Sequence, residues 1–305
     1  MSDLRASTNV SHSLKDWFLA TRPWAFPASA MPVLVTLGYL FWAGEQVDWA
    51  IGIFTMFNVV LFHAAGNTWS DYNDYKRGVD REDTVGGVSI TSGQFKAGEI
   101  KMLSIALMAA AVACGLTILA LTGLTTLWLG LAGAILTVLY PWMKYHAMGD
   151  VDIFLTYAVL PMLGTSYVST GSIIPQTLWL AVPVGLITVG ILHSNNTRDM
   201  EQDRRAEIKT FAMSIGGRVS SCIYCLEVLL PFVWCGACIM AGILPICIIT
   251  VLVAFKPAWD NARRAMRYPQ EGMKAMVGLD ERTAQLQLKF SLALFGGLMI
   301  AAFIA

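Results

Sequence analysis

Acidic side chains gather at two places in this chain, each time behind an asparagine and each time at helical spacing. The first is Asn67-x3-Asp71-x2-Asp74 and the second is Asn195-x3-Asp199-x3-Asp203. On a helix, Asn67, Asp71 and Asp74 fall within ~60° of one another, so three oxygen-bearing groups project from one face. Asn195, Asp199 and Asp203 form a second such stripe. Oxygen donor sets suit hard divalent cations, and Mg²⁺ commonly binds through a few carboxylates completed by phosphate oxygens. Basic residues lie close by: Lys76 and Arg77 follow the first stripe, while Arg198, Arg204 and Lys209 flank the second. Two facing acid clusters with cations around them describe a clamp for a diphosphate.

The elements that must position these residues are membrane helices. Of 305 residues, 56% are hydrophobic and only 14% charged, and the mean hydropathy is +0.58. Apolar stretches close to the ~20 residues needed to cross a bilayer recur along the whole length. They predict nine spans, at 25–43, 49–70, 101–122, 124–143, 153–170, 177–196, 219–240, 243–257 and 286–304. The expected architecture is one all-α membrane domain over 1–305, with 1–20 as a cytoplasmic N-terminal segment. Charge placement gives an orientation. All 21 Lys and Arg residues fall on one side of such a bundle. The connections near Gly44–Trp49, Gly123–Thr126, Gly171–Gln176 and Gly242–Pro245 contain none, so the N-terminus and both acid motifs are expected on the cytoplasmic side of the cell (inner) membrane. No cleavable signal peptide is expected. The net charge of zero does not suggest nucleic acid, and no phosphate-loop pattern suggests ATP.

Both stripes sit at the ends of even-numbered spans, which suggests a same-orientation internal repeat. An Asp in hydrocarbon costs ~2.5–3.5 kcal/mol even on the lenient insertion scale, so four or more of them must face a wet cavity. A merely solvated rim gives no reason for an asparagine one turn before each cluster.

Other features are weighed against blander explanations. Cys222-x2-Cys225 and Cys235-x2-Cys238 look like metal pairs on spacing alone, but all four fall in the seventh apolar span and are expected to be inert small hydrophobes. His63 and His193 fit hydrogen-bonded structural positions better than catalytic bases. Gly38, Gly66, Gly115, Gly130, Gly133 and Gly164 are expected at close helix contacts. Arg22 fits equally an interfacial anchor or a substrate contact. Glu227, inside span seven with no basic neighbour in sequence, is expected to be neutral or paired to another helix.

Four stretches carry a family resemblance: Thr21-Arg-Pro-Trp-Ala-Phe-Pro-Ala-Ser-Ala-Met-Pro-Val, Asp71-Tyr-Asn-Asp-Tyr-Lys-Arg-Gly-Val-Asp80, Asn195-Asn-Thr-Arg-Asp-Met-Glu-Gln-Asp-Arg204 and Asp280-Glu-Arg-Thr-Ala-Gln-Leu. On these the chain resembles the UbiA-type intramembrane prenyltransferases, and among them the 1,4-dihydroxy-2-naphthoate prenyltransferases of menaquinone biosynthesis. The resemblance implies a nine-helix bundle with a central cavity opening to the cytoplasmic side. It implies Mg²⁺ as cofactor, a polyprenyl diphosphate donor and a 1,4-dihydroxy-2-naphthoate acceptor that loses CO₂. Asn67, Asp71, Asp74, Asp199 and Asp203 would be the metal set, the four aspartates being catalytic. Asn195, Asn196, Arg22, Lys76, Arg77, Tyr140, Lys144, Arg198 and Lys209 would contact substrate, Tyr140 and Lys144 matching a Tyr/Lys region in relatives. Where hydroxybenzoate-type relatives carry Arg-Thr and Arg-Pro elements, this chain has Thr84-Val-Gly-Gly-Val-Ser-Ile-Thr-Ser-Gly93. The rival readings are a hydroxybenzoate or homogentisate acceptor, or a secondary transporter with intramembrane carboxylates.

Overall fold

The computed structural model describes residues 12–81 and 88–304. Thr84–Gly87 of the departing loop and Arg5 therefore lie outside the described residues. All regular structure among the described residues is helical. In order these are α1 (Leu14–Ala20), α2 (Pro27–Trp42), α3 (Trp49–Arg77), α4 (Val88–Thr91), α5 (Ala97–Thr122), α6 (Thr125–Tyr145), α7 (Gly149–Phe154), α8 (Leu160–Thr170), α9 (Leu178–Arg198), α10 (Met200–Arg205), α11 (Phe211–Ile215), α12 (Gly217–Met240), α13 (Phe255–Ala265), α14 (Tyr268–Glu271) and α15 (Leu279–Ile304).

Eight helical segments are long and apolar enough to cross a membrane, and six of the nine predicted spans lie wholly within them. The first, 25–43, overruns its helix by one residue at Ala43, and the fourth, 124–143, begins one residue before its helix at Leu124. The stretch expected as the remaining span, 243–257, is built differently. It forms a 3₁₀ helix over Ile246–Ala254 that runs directly into α13, whose Lys256, Asp260, Arg263 and Arg264 make it amphipathic. Its two halves are each too short for one apolar α-helix, so eight rather than nine unbroken spanning helices are seen among the described residues.

Bilayer packing explains which residues bury. The main core joins α2, α8, α9, α12, α13 and α15 around Tyr224, Phe232, Phe290, Leu286 and Met276. By contrast, α5 and α6 expose Met102, Leu116, Trp128, Leu131 and Ile135. Such a continuous apolar surface suits lipid and not water. Prolines inside the helices are compensated locally, as a membrane requires. Pro183 cannot donate to the Trp179 carbonyl, and the Trp234 indole supplies that bond at 2.8 Å. Between α7 and α8 the chain widens into a π turn, Leu155–Val159, just before Pro161, where an α turn would lack its donor.

The glycine expectation divides. At Gly38 an added Cβ would stand 2.7 Å from the Phe295 ring, so α2 and α15 do meet closely there. Gly66 and Gly115 face Thr137 and Asn58 at 3.3 and 3.5 Å, whereas Gly130, Gly133 and Gly164 have nothing within 4 Å. Those three line a cavity instead.

Candidate active site

The first acid motif lies wholly within α3, which continues through Arg77 and beyond the predicted span end at residue 70. Helicity therefore places Asn67, Asp71 and Asp74 on one stripe as expected. Gly78 then adopts φ 71° and ends the helix, its amide and that of Val79 capping the Asp74 carbonyl. That left-handed turn favours glycine. It returns the chain so that Asp80 joins the acids.

The second motif crosses a helix break. Arg198 ends α9, Asp199 is the junction, and α10 carries Asp203. The stripe survives because the Asp199 amide still donates to the Asn195 carbonyl at 2.8 Å and the Asp203 amide to the Asp199 carbonyl at 2.9 Å. Asn196, buried, sits ~100° round the helix from Asn195 and off the stripe.

Lys144, from α6, joins the two motifs. Its ammonium donates to Asp74 Oδ2 at 3.0 Å. Asp203 feels the pull of Lys144 together with repulsion from Asp199, Asp74 and Asp80. Acids from residues 71–80 and 199–203 therefore meet at one end of the bundle. Burial drives the Asp203 carboxyl up to about 7, against that pull of Lys144. Burial, helped by Asp74, drives Asp80 up to about 6.

The remaining contacts are specific. Tyr145 Oη donates to Asp74 Oδ1 at 2.6 Å, and Ser70 Oγ donates to Oδ2 at 3.3 Å. The Arg22 guanidinium pairs with Asp71 Oδ1. Arg22 has a left-handed backbone, φ 58°, unusual for a side-chain-bearing residue and common at constrained sites. Its predecessor is held too, since Asn67 Nδ2 donates to the Thr21 carbonyl at 3.1 Å. That bond leaves Asn67 Oδ1 as an oxygen donor for the site. Arg198 grips both oxygens of Asp199 at 2.7 Å and reaches Asp280 of α15 at 3.0 Å.

Other expected contacts stand further out. Tyr140 lies one turn before Lys144 on α6. Arg77 stacks over the Tyr145 ring at 4.7 Å. Lys76 and Lys209 are exposed and make no ion pair among the described residues, although the Lys209 amide donates to the Tyr145 carbonyl. Tyr145, Asp80 and Asp280 were not singled out by spacing. Tyr145 adjoins Lys144, Asp80 closes one quoted stretch and Asp280 opens another, and these are the signals the sequence offers.

The residues fit a divalent metal. Asp71 Oδ2, Asp203 Oδ2 and Asn195 Oδ1 are buried without a hydrogen-bond partner. Such orphaned oxygens cost about 1–3 kcal/mol each, more for charged groups, unless something positive meets them. Three acceptors on one acid cluster call for a cation and not for further hydrogen-bond acceptors.

Beside the site, between α3, α5, α6 and α8, an apolar cavity of about 270 Å³ is lined by Phe62, Leu116, Leu119, Gly133, Ala134 and Gly164. His63 and Thr137 also line it, one turn before Asn67 and Tyr140 respectively. The cavity thus begins about one helical turn, ~5.4 Å, from the site. His63 itself is a structural partner of Ser29, at 3.0 Å. The six cysteines are free thiols, Cys235 and Cys238 buried in the core.

The fold is thus a bundle of membrane helices whose paired Asn/Asp motifs stand beside an apolar cavity. The UbiA prenyltransferase family model matches residues 29–279, and the chain belongs to that family; it is a prenyltransferase. Over 306 residues it is 29% identical to UbiA prenyltransferase domain-containing protein 1 of Danio rerio, covering 97% of this chain and 88% of the relative. In fold it is similar to the UbiA homolog of Aeropyrum pernix K1, with a TM-score of 0.63 at 16% identity, covering 90% of this chain and 97% of the other. A UbiA homolog from Archaeoglobus fulgidus bound to DMAPP and Mg²⁺ superposes with a TM-score of 0.55 at 14% identity, over 92% and 99% of the two chains. The transporter reading falls with this membership. The relative's name does not specify a naphthoate acceptor, so membership stands at the level of the family.

Proposed function

We propose that the chain transfers a polyprenyl group from polyprenyl diphosphate to 1,4-dihydroxy-2-naphthoate, releasing diphosphate and CO₂. The observation that carries the donor half is the meeting of both acid motifs around Lys144, with orphaned carboxylate oxygens, beside an apolar cavity. The acceptor half is supported by the four motif stretches.

Asp71, Asp74, Asp199 and Asp203, with Asn67 Oδ1 and Asn195 Oδ1, would hold Mg²⁺. The metal supplies charge neutralisation for the leaving diphosphate. The chain's own cations share that work: Lys144 stands among the acids, and Arg22 and Arg198 are already fixed by Asp71 and by Asp199 with Asp280. Fixed charges of this kind need no reorganisation as the allylic C–O bond breaks. The cavity walls receive the prenyl tail and keep water from the carbocation. An electron-rich ring carbon of the acceptor then forms the new C–C bond, and the electrons of the departing carboxylate restore the ring.

A ninth crossing belongs to the same proposal. The 3₁₀ helix and α13 together measure roughly 34 Å by their rises per residue, enough to cross hydrocarbon. With nine crossings, the one-sided Lys and Arg distribution supports a site on the cytoplasmic face.

Purified protein supplied with polyprenyl diphosphate, Mg²⁺ and separate naphthoate, hydroxybenzoate and homogentisate acceptors tests this. Prenylated, decarboxylated naphthol is expected. Product from another acceptor alone would overturn the acceptor, and product without divalent metal would overturn the donor half.

A further inference from the structure

Behind the second acid motif, α7, α9 and α12 bring Asp150, His193 and Glu227 together, and the diphosphate chemistry uses none of them. One potential ligand atom from each lies within 4.8 Å of the others. The hydrogen bonds around them fix the imidazole tautomer. Thr197 Oγ1 spends its only proton on the His193 carbonyl, at 2.7 Å. Ser220 Oγ, 2.5 Å from Thr197 Oγ1, must therefore donate to it. With that proton spent, the ring Nε2, at 2.8 Å from Ser220 Oγ and 3.1 Å from the Ser220 carbonyl, must be the donor.

In the neutral ring Nδ1 is then a bare lone pair. It faces Asp150 Oδ2 at 2.5 Å and Glu227 Oε1 at 3.6 Å. A lone pair aimed at two carboxylates is repulsive unless a positive centre lies among them. Two further oxygens are orphaned at the same spot. Glu227 Oε2 and Asp150 Oδ1 are buried without partners, and the Glu227 residue is only 6% exposed.

We propose that Asp150, His193 and Glu227 form a second metal site that takes one dication of the Zn²⁺ type. Three features support a metal. One dication neutralises two carboxylates beside a neutral imidazole, where protons would have to occupy two of the three groups at once. Nitrogen and oxygen donors together suit Zn²⁺ better than Mg²⁺. The Nε2–H donation to a backbone carbonyl is the orienting bond that metal-bound imidazoles nearly always make. His193 is fully buried, while the Asp150 side chain keeps 12% exposure, which places the entry on the Asp150 side. With ligands at about 2.0–2.1 Å in tetrahedral geometry, two donors stand roughly 3.3 Å apart, so the Asp150 carboxylate would rotate away from Nδ1 as a metal enters. The site ties α7 and α12 to α9 two residues before Asn195, so its role is to hold the second acid motif in place.

The test uses full-length protein in detergent, stripped with chelator, with no prenyl diphosphate present. In an Asp71→Asn/Asp199→Asn background, which silences the diphosphate site, Co²⁺ is added and its visible d–d absorption followed. One equivalent is expected to bind, and Zn²⁺ is expected to displace it and raise the melting temperature. Adding Glu227→Gln or Asp150→Asn should weaken Co²⁺ binding by roughly 100-fold or more and remove the Zn²⁺-dependent thermal shift. The Asp150 variant, altered at the half-open edge, decides the matter if the Glu227 variant does not fold. No stoichiometric Co²⁺ in the parent background, the result for a triad held by protons alone, overturns the proposal. So does equal affinity in the parent and both variants.

Discussion

The ammonium of Lys144 stands 3.0 Å from Asp74 and also pulls on Asp203, so one cation from α6 serves acids from both motifs. Removing it leaves Asp74 and Asp203 without the cation they share, while Arg22 and Arg198 stay on Asp71 and Asp199. Lys144→Met is therefore expected to lower kcat/KM by the equivalent of about 2–5 kcal/mol, the usual cost of truncating one partner of a buried charge pair. Lys144→Arg should recover part of the loss. Steady-state kinetics with varied prenyl diphosphate checks this, and an unchanged Lys144→Met would remove the lysine from the site.

Tyr145→Phe deletes the 2.6 Å bond to Asp74 but leaves Lys144 and Ser70 on the same carboxylate. The expected effect is smaller, about 1.5 kcal/mol or roughly tenfold in apparent Mg²⁺ affinity. Rates measured across a Mg²⁺ series show it as a shift in half-saturation. Tyr140→Phe, which removes no recorded bond to the acids, should shift the Mg²⁺ curve less.

Proton competition sets a pH dependence. Asp203 holds its proton up to about pH 7 in the folded chain, against an ordinary value of 3.8. Its contribution to the stability of metal-free protein is thus full below 3.8 and is lost as pH rises through about 7. Metal binds the ionised form, so apparent Mg²⁺ affinity should rise over the same interval, by roughly tenfold between pH 6 and pH 8 for one displaced proton. Calorimetric Mg²⁺ titrations with donor present should show proton release near pH 6 that fades by pH 8.

The open glycines make a prediction about the tail. Gly133→Ile or Gly164→Leu would fill the apolar cavity, since neither position has an atom within 4 Å of an added Cβ. Turnover of long polyprenyl diphosphates should fall by roughly tenfold or more, with short ones much less affected. Gly38→Leu would instead drive into Phe295 and should lower thermal stability without changing tail preference. A competition assay with mixed donors separates the two outcomes.

The sequence carried the acid stripes because they depend on local helical phase, and even the break at Asp199 preserves that phase through two backbone bonds. Six predicted spans lie wholly within their helices for the same reason: apolar length is a local property. What spacing does not carry is contact between distant helices. Tyr140 and Tyr145 look alike in sequence, and only the packing of α6 against α3 selects Tyr145 as the partner of Asp74. Glu227 has no basic neighbour on α12, yet His193 of α9 comes within 3.6 Å of it. The stretch at 243–257 misled because hydropathy measures apolarity and not helix type, and a 3₁₀ segment reads like any other apolar run. Lys76, in the last turn of α3, and Lys209, in the link between α10 and α11, keep exposed side chains, which proximity in sequence does not show.

Both acid motifs acting together on one metal–diphosphate complex is the central claim, and calorimetric titration of a polyprenyl diphosphate into purified protein tests it most directly. With Mg²⁺, the parent should bind tightly, while Asp71→Asn and Asp199→Asn should each weaken binding by roughly 100-fold, as should omission of Mg²⁺. Parent-like affinity in either variant, or binding indifferent to Mg²⁺, would contradict the account.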